Sequence, residues 1–414
     1  MERYESYKDS GVAWIGKVPE HWEVMKTSLL YTNIGSGTTP STSKQEYYED
    51  DGFCWLQTGD LNDGYITDTS KKISKVAIKD CKLRFYPVGS IVIAMYGATI
   101  GKIGLLKVPT STNQACCVLP YSNKMNEIYT FYVCQIAKGQ MLLEAVGGGQ
   151  PNISQDIIKK LKLPVPPICE QQAIAAYLDK RCCEIDKAIA TQQKRIALLQ
   201  ELKQSIITHA VTRGIHPDVP LKESGVEWIG KVPEHWDIKR MRFLCTIDTG
   251  TRDTIDKVDD GDYPFYVRSP KIERINTYTF DGEAVLMAGD GVGAGKVIHY
   301  ANGKFDYHQR VYNIHNYKEI ATLFAYYYLQ SNFRYKIEEG GAKNTVDSVR
   351  LPWLKDFPVC IPPQREQDEI LTFIKKNNAR INTLILKAER QIELLQELRQ
   401  SVITEAITGK IKVC

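Results

Sequence analysis

Pro166-Pro167-Ile168-Cys169-Glu170-Gln171 opens a stretch that runs without Gly or Pro to Leu198-Leu199-Gln200-Glu201-Leu202-Lys203-Gln204-Ser205 and closes at Ala210-Val211-Thr212. The chain contains it twice. Pro362-Pro363, Glu366-Gln367, Leu394-Leu395-Gln396-Glu397-Leu398-Arg399-Gln400-Ser401 and Ala406-Ile407-Thr408 repeat it without insertion at an offset of 196, Pro166 to Pro362. Each copy predicts about 45 helical residues, a rod of roughly 65 to 70 Å at 1.5 Å per residue. A rod that long needs a partner. Leu178, Ile185, Leu199 and Ile206 fall on a period of seven, with Ile189 and Ile196 four residues beyond members of that series. Ile374, Ile381, Ala388, Leu395 and Val402 keep the same register, with companions at Ile385 and Ile392. This is a coiled-coil seam, interrupted in the first copy by Gln192, and it predicts that the two helices pair with each other, antiparallel.

A second repeat precedes each domain. Ser10-Gly11-Val12-Ala13-Trp14-Ile15-Gly16-Lys17-Val18-Pro19-Glu20-His21-Trp22 returns as Ser224-Gly225-Val226-Glu227-Trp228-Ile229-Gly230-Lys231-Val232-Pro233-Glu234-His235-Trp236, at an offset of 214. Large rings among Gly and Pro turns predict an irregular arm held to a globular body by its aromatics. His21 and His235 have no second ligand at metal spacing, so a structural hydrogen-bonding role is expected of both. The chain thus divides into a first domain with its arm (1–165), a long helix (166–213), a second domain with its arm (214–361), and a second long helix with a tail (362–414).

Each domain reads as mixed α/β. Phe53-Cys54-Trp55-Leu56 and Ser90 to Met95 are short apolar runs bounded by turn residues, hence strands, and Asn62-Asp63-Gly64 is a hairpin signal. Residues 126–145 predict a helix carrying Ile128, Tyr132, Ile136 and Leu142, ending at Gly147-Gly148-Gly149, with a short helix begun by Asn152-Ile153-Ser154. The second domain matches it over Ile320 to Ile337, Gly340-Gly341 and Asn344. Between these landmarks the domains differ almost completely, so they are expected to hold two different ligands of one class.

Composition permits a nucleic-acid partner without announcing one: over 414 residues the net charge is +4 and the pI about 8.3. No signal peptide or apolar span is legible, which predicts a cytoplasmic protein, with no membrane partner. The 11 cysteines contain no Cys-x-x-Cys pair and read as reduced thiols, with no metal site expected. Gly97-Ala98-Thr99-Ile100-Gly101-Lys102 and Gly289-Asp290-Gly291-Val292-Gly293-Ala294-Gly295-Lys296 resemble phosphate loops but fail the Walker spacing at Tyr96 and Ile103, and at Asp290 and Val297. A tight turn between strands, with Lys102 and Lys296 near a DNA phosphate, fits better. No catalytic motif is found, and no catalysis is expected of the chain.

The candidate base readers are polar and basic loop residues. They are Thr38, Thr39, Ser41, Lys44, Gln57, Thr58, Asn113 and Gln114 in the first domain, and Arg268, Ser269, Lys271, Arg274, His308, Arg310, Lys343 and Asn344 in the second. Arg suits guanine and Asn or Gln suits adenine, because each makes a two-pronged hydrogen bond in the major groove. Gln114 and Gln309 occupy matching places, which favours a scaffold role for both.

Pro-Pro-x-x-Glu-Gln and Leu-Leu-Gln-Glu-Leu-(Lys/Arg)-Gln-Ser bounding each helix, Trp-Ile-Gly-x-x-Pro-x-x-Trp before each domain, and Gly-Ala-Thr-Ile-Gly-Lys inside one together resemble the DNA specificity subunit of type I restriction-modification systems. The resemblance spans essentially the whole chain. It implies an α/β (α+β) fold of two target recognition domains, each reading one half of a split site in double-stranded DNA, with the paired helices as a ruler. It also implies partners: two methyltransferase subunits that methylate adenine, and translocase-nuclease subunits. S-adenosylmethionine, ATP and magnesium would sit on those partners, with no cofactor on this chain. One departure is Gln364, where the family, like Ile168 here, has an apolar residue after the two prolines. A duplicated coiled-coil adaptor that binds no DNA is the competing reading.

Overall fold

The structure is a computed structural model that describes residues 2–147, 151–339 and 348–413. It divides into two compact units. The first comprises Met1–Thr191 with Gln391–Cys414, and the second Gln192–Arg390. Both long helices form, as Ile168–Arg213 and Gln364–Ile407, and each is shared between the two units.

Inside the first unit, the opening half of the first long helix runs beside the closing half of the second, joined by Arg399 Nε to Asp186 Oδ1 at 3.1 Å. Inside the second unit the pairing recurs with Lys203 Nζ on Asn382 Oδ1 at 3.0 Å. Each contact joins antiparallel helix segments within its own unit. Leu178, Ile185, Ile374, Ile381 and Ala388 are buried, while Ile189, Ile196, Leu199, Ile206, Ile385, Ile392, Leu395 and Val402 are half-buried. Gln192 stands among them with its Oε1 buried and unpartnered.

The first unit is built on a five-stranded sheet in the order Gly35–Ser36, Cys116–Leu119, Ile91–Ala94, Ile103–Leu106, Gly64–Ile66. Its central strands read as continuous apolar runs because both faces are covered. Ile91, Ile93 and Cys117 enter the core beneath the helix Glu127–Leu143, while Val92, Ala94 and Cys116 enter a second core on the opposite face. The second unit has a six-stranded sheet in the order Thr246–Thr249, Val311–His315, Phe280–Ala288, Ile298–Tyr307, Tyr263–Tyr266, Glu273–Ile275. Its helix Thr322–Glu339 takes the corresponding place.

Two expectations are corrected. Asn62-Asp63-Gly64 does not close a hairpin. Asp63 adopts the left-handed turn conformation (φ 61°), but its carboxylate accepts the Ile103 N–H at 2.9 Å and steers Gly64–Ile66 parallel to Ile103–Leu106. The arm is less irregular than expected, because Tyr7–Asp9 pairs antiparallel with Lys17–Pro19, as Leu221–Glu223 does with Lys231–Pro233. The expected helix forms as Glu127–Leu143 and carries Ile128, Tyr132, Ile136 and Leu142; Tyr129, Tyr132, Val133, Ala137 and Met141 are among its buried residues, while Leu142 is exposed. Gly148, Gly149, Gly340, Gly341, Lys343 and Asn344 lie outside the described residues.

Candidate nucleic-acid interface

The Glu-Gln pair that opens each long helix sets the frame on which the loops stand. Glu170 accepts the indole N–H of fully buried Trp22 at 2.9 Å and the Tyr4 hydroxyl at 3.0 Å, and its other oxygen lies 2.7 Å from His21 Nε2. Burial raises the Glu170 carboxyl, but its Trp22, His21 and Tyr4 donors outweigh that and hold it below its ordinary value. Glu366 repeats the clamp with Trp236 at 3.1 Å and His235 at 2.7 Å. The histidines are therefore hydrogen-bonding struts. Buried Gln171 accepts the Asn126 N–H at 2.7 Å and donates to the Lys124 and Pro166 carbonyls, and Gln367 does the same with Ala321, Glu319 and Pro362. Each pair thus ties its long helix to its arm and to the start of its domain helix.

At one end of the first unit's sheet, four chain segments are drawn together by backbone bonds. The Asn113 N–H donates to the Leu56 carbonyl at 3.0 Å, the Met95 N–H to Ala115 at 2.8 Å, and the Gly37 N–H to Asn113 at 3.3 Å. A Cβ on Gly37 would stand 1.7 Å from the Thr112 carbonyl oxygen, so only glycine fits this approach. Thr38, Thr39, Gln57, Thr58, Asn113 and Gln114 therefore come together. The Thr39 hydroxyl donates to Gln114 Oε1, and Asn113 Oδ1 accepts the Ala115 N–H. Gln57 caps a short turn, Thr58–Asp60, its own N–H bonded to Asp60. Ser41 and Lys44 are tied elsewhere: Ser41 bonds Ser43, and Lys44 donates to the hydroxyl of Tyr47, which in turn bonds Asp80.

The second unit draws the equivalent segments together with two matching bonds and a third whose donor and acceptor differ. The His308 N–H donates to Tyr266, the Gly289 N–H to Arg310 and the Gln309 N–H to Arg252. Gly250 takes the place of Gly37, its missing Cβ 1.9 Å from the Tyr307 carbonyl oxygen. Arg268, His308 and Arg310 meet here. Arg268 Nη1 lies 3.0 Å from Asp290 Oδ1, and Arg310 Nε 3.7 Å from Asp290 Oδ2. Burial pushes the His308 imidazole below its ordinary pKa and the Arg268 charge adds to this, so it is neutral at pH 7; its Nδ1 accepts the Arg310 N–H. Arg274 is engaged by the Gly261 and Asp262 carbonyls and Lys271 by Glu273, while Ser269 accepts the Lys271 N–H.

Both glycine–lysine motifs form tight turns between antiparallel strands. Gly97 and Gly101, like Gly291 and Gly295, have positive φ, and the Gly101 and Gly295 N–H groups return to Ala94 and Ala288 at 2.8 Å each. Half-buried Lys102 and exposed Lys296 flank the turns.

Sequence reasoning missed Arg252, Asp253 and Asp290. Arg252 pairs with fully buried Asp306 at 3.3 Å, and Asp253 accepts from the Gln309 amide at 2.7 Å. A signal was present: Ser36-Gly37-Thr38 and Thr249-Gly250-Thr251 stand at nearly equal distances behind Trp22 and Trp236.

The sequence matches the family described as type I restriction modification DNA specificity domain twice, over residues 19–201 and 233–394. It is 24% identical to the type I restriction enzyme MjaIX specificity subunit of Methanocaldococcus jannaschii, covering 96% of this chain and 95% of the relative. It is 32% identical to the EcoDI specificity subunit of Escherichia coli over 44% of this chain and 40% of that protein. The fold is similar to a chain from a solved structure concerned with complex assembly and conformational transition of the type I R-M system (TM-score 0.73, 16% identity, covering 95% and 99% of the two chains). It is also similar to the HsdS subunit from Thermoanaerobacter tengcongensis (TM-score 0.51, 16% identity, 95% and 98%).

Proposed function

The chain belongs to the family of type I restriction-modification DNA specificity subunits, and on that premise we propose that its two loop clusters each read one half of a bipartite, asymmetric site in double-stranded DNA. The observation that carries this reading is the duplication itself. One backbone scaffold, closed by Gly37 in the first unit and Gly250 in the second, presents two unlike sets of polar side chains. Like scaffolds with unlike side chains suit one class of ligand with two different sequences, and identical modules would read a palindrome instead. The chain supplies recognition, and the chemistry belongs to its partners: two methyltransferase subunits that use S-adenosylmethionine to methylate adenine, and translocase-nuclease subunits that use ATP and magnesium. The antiparallel helices, each shared between the units, fix the separation of the half-sites. A modest net charge is compatible with this role when partner subunits supply part of the phosphate contact that dominates DNA affinity.

The test is to co-express the chain with its methyltransferase subunits and map methylated adenines at single-base resolution. The expected result is a split asymmetric motif with a fixed gap. Inserting a few residues beside Gln192 should change the gap and leave the bases unchanged. An active variant with an unaltered gap removes the ruler role, and soluble, assembled subunits that give no motif remove the DNA reading.

A further inference from the structure

In the second unit two arginines from separate loops converge on one carboxylate. Arg268 follows the strand Tyr263–Tyr266, Arg310 precedes Val311–His315, and Asp290 follows Phe280–Ala288. The Asp290 side chain is 25% exposed, whereas those of Arg268 and Arg310 are 44% and 65% exposed. The Asp253 carboxylate also borders the cluster, 3.8 Å from His308 Nε2, so the two guanidinium charges face two carboxylates and leave no positive excess to draw a phosphate. Asp290 faces Arg310 on its Nε side, an ion pair at 3.7 Å without a hydrogen bond, and the terminal nitrogens can serve a ligand.

That arrangement discriminates between a phosphate and a base edge. A phosphate carries charge and would be repelled by Asp290 beside the fork. Guanine offers two neutral acceptors, N7 and O6, at the spacing of a guanidinium fork, and tolerates the nearby carboxylate. The equivalent backbone bonds place Thr58, Ala115 and Tyr96 at the corresponding positions of the first unit, where no such fork exists. We propose that Arg310 reads a guanine in the half-site of the second unit, with Asp290 and Arg268 as positioning residues. This rests on the reading of the chain as a DNA specificity subunit.

The experiment uses the assembled chain and methyltransferase, first mapping the wild-type methylation motif and then those of Arg310→Ala, Arg310→Lys and Asp290→Asn. Both Arg310 variants should lose preference for guanine at one position of one half-site by about tenfold to a hundredfold, the usual value of a two-pronged base contact. The other half-site should be untouched, which also reports that the complex is folded. Asp290→Asn should lower discrimination at that same position while the cognate duplex is still bound. Uniform weakening with the motif intact marks a phosphate contact and overturns the proposal, as does an unchanged motif. Should the variants fail to assemble, the wild-type complex is tested on duplexes carrying 7-deazaguanine at each guanine of that half-site. A loss of about tenfold at one of them supports the proposal, and insensitivity at all of them overturns it. A wild-type complex that gives no split motif defeats the underlying reading instead, so the two failures are distinguishable.

Discussion

The loop clusters of the two units share most of their backbone bonds and almost none of their side chains. Met95 to Ala115 and Gly289 to Arg310 are both 2.8 Å, as are Ile153 to Met95 and Val349 to Gly289. Upon that common frame the first unit presents Thr39 bonded to Gln114, without a charge on either, and the second presents Arg268, Asp290 and Arg310. The difference teaches where the constraint lies. Backbone N–H and C=O groups and glycines carry the geometry, so the exposed side chains are free to diverge without disturbing the fold.

If the frame is truly common, its largest single contribution should be equal in the two units. Trp22 and Trp236 are both fully buried beneath their arms and bonded to Glu170 and Glu366. Replacing either by Ala should cost about 3 to 5 kcal/mol, the range for deleting a buried large aromatic. Calorimetric melting of the assembled complex measures it. Near-equal losses sustain the equivalence, and a loss confined to one variant breaks it.

The glycine turns sharpen the comparison by predicting a difference. Gly101 and Gly295 both hold positive φ, so Ala at either is strained by roughly 1 to 2 kcal/mol. The atoms nearest a Cβ on Gly101 all belong to the Lys138 side chain, from 3.1 Å, and that flexible chain can yield. On Gly295 it would stand 2.5 Å from Ile337 Cδ1 and 3.0 Å from Phe333 and Val349, all parts of a packed core. Overpacking of this kind adds about 1 to 3 kcal/mol. Gly295→Ala should therefore destabilise more than Gly101→Ala in parallel denaturant titrations, and equal midpoints would contradict the packing argument.

How much of this was legible beforehand follows from how local each signal is. The long helices were legible from Pro166-Pro167 and Pro362-Pro363, because proline punctuates and a period of seven persists over many turns. Pairing of the helices could be expected from the seam, whereas the register joining Asp186 to Arg399 depends on three-dimensional contact. The turn at Gly97 to Lys102 was legible as a turn, since two glycines close to a strand end suit positive φ. Asp63 misled because its turn conformation is real but its carboxylate bonds Ile103, 40 residues away. Among the candidate readers, Arg268 and Arg310 meet, while Arg274, only six residues from Arg268, is engaged by the carbonyls of Gly261 and Asp262. Sequence names the donors, and only the fold says which of them face the same place.

The smallest predicted effect separates the two clamps. Glu170 accepts from Trp22 and Tyr4 and contacts His21, whereas among the described residues Glu366 bonds Trp236 and His235, with Asp218 standing where the repeat would need a second Tyr4. Replacing Glu170 by Gln removes the charge from these hydrogen bonds while keeping the side chain's size. The expected loss is about 1 kcal/mol at neutral pH, the scale on which a charged acceptor exceeds a neutral one. The pH dependence gives the sign. The folded carboxyl is held below its ordinary value of 4.5, so the unfolded chain takes up the proton first as pH falls. The stabilisation is therefore complete above about pH 4.5 and disappears as pH drops through the lower folded value. Melting temperatures of wild type and Glu170→Gln should differ at pH 7 and converge in acid, with a smaller gap at pH 7 for Glu366→Gln. A gap that widens in acid would reverse the sign and show that the carboxylate is tolerated by its donors without being stabilised by them.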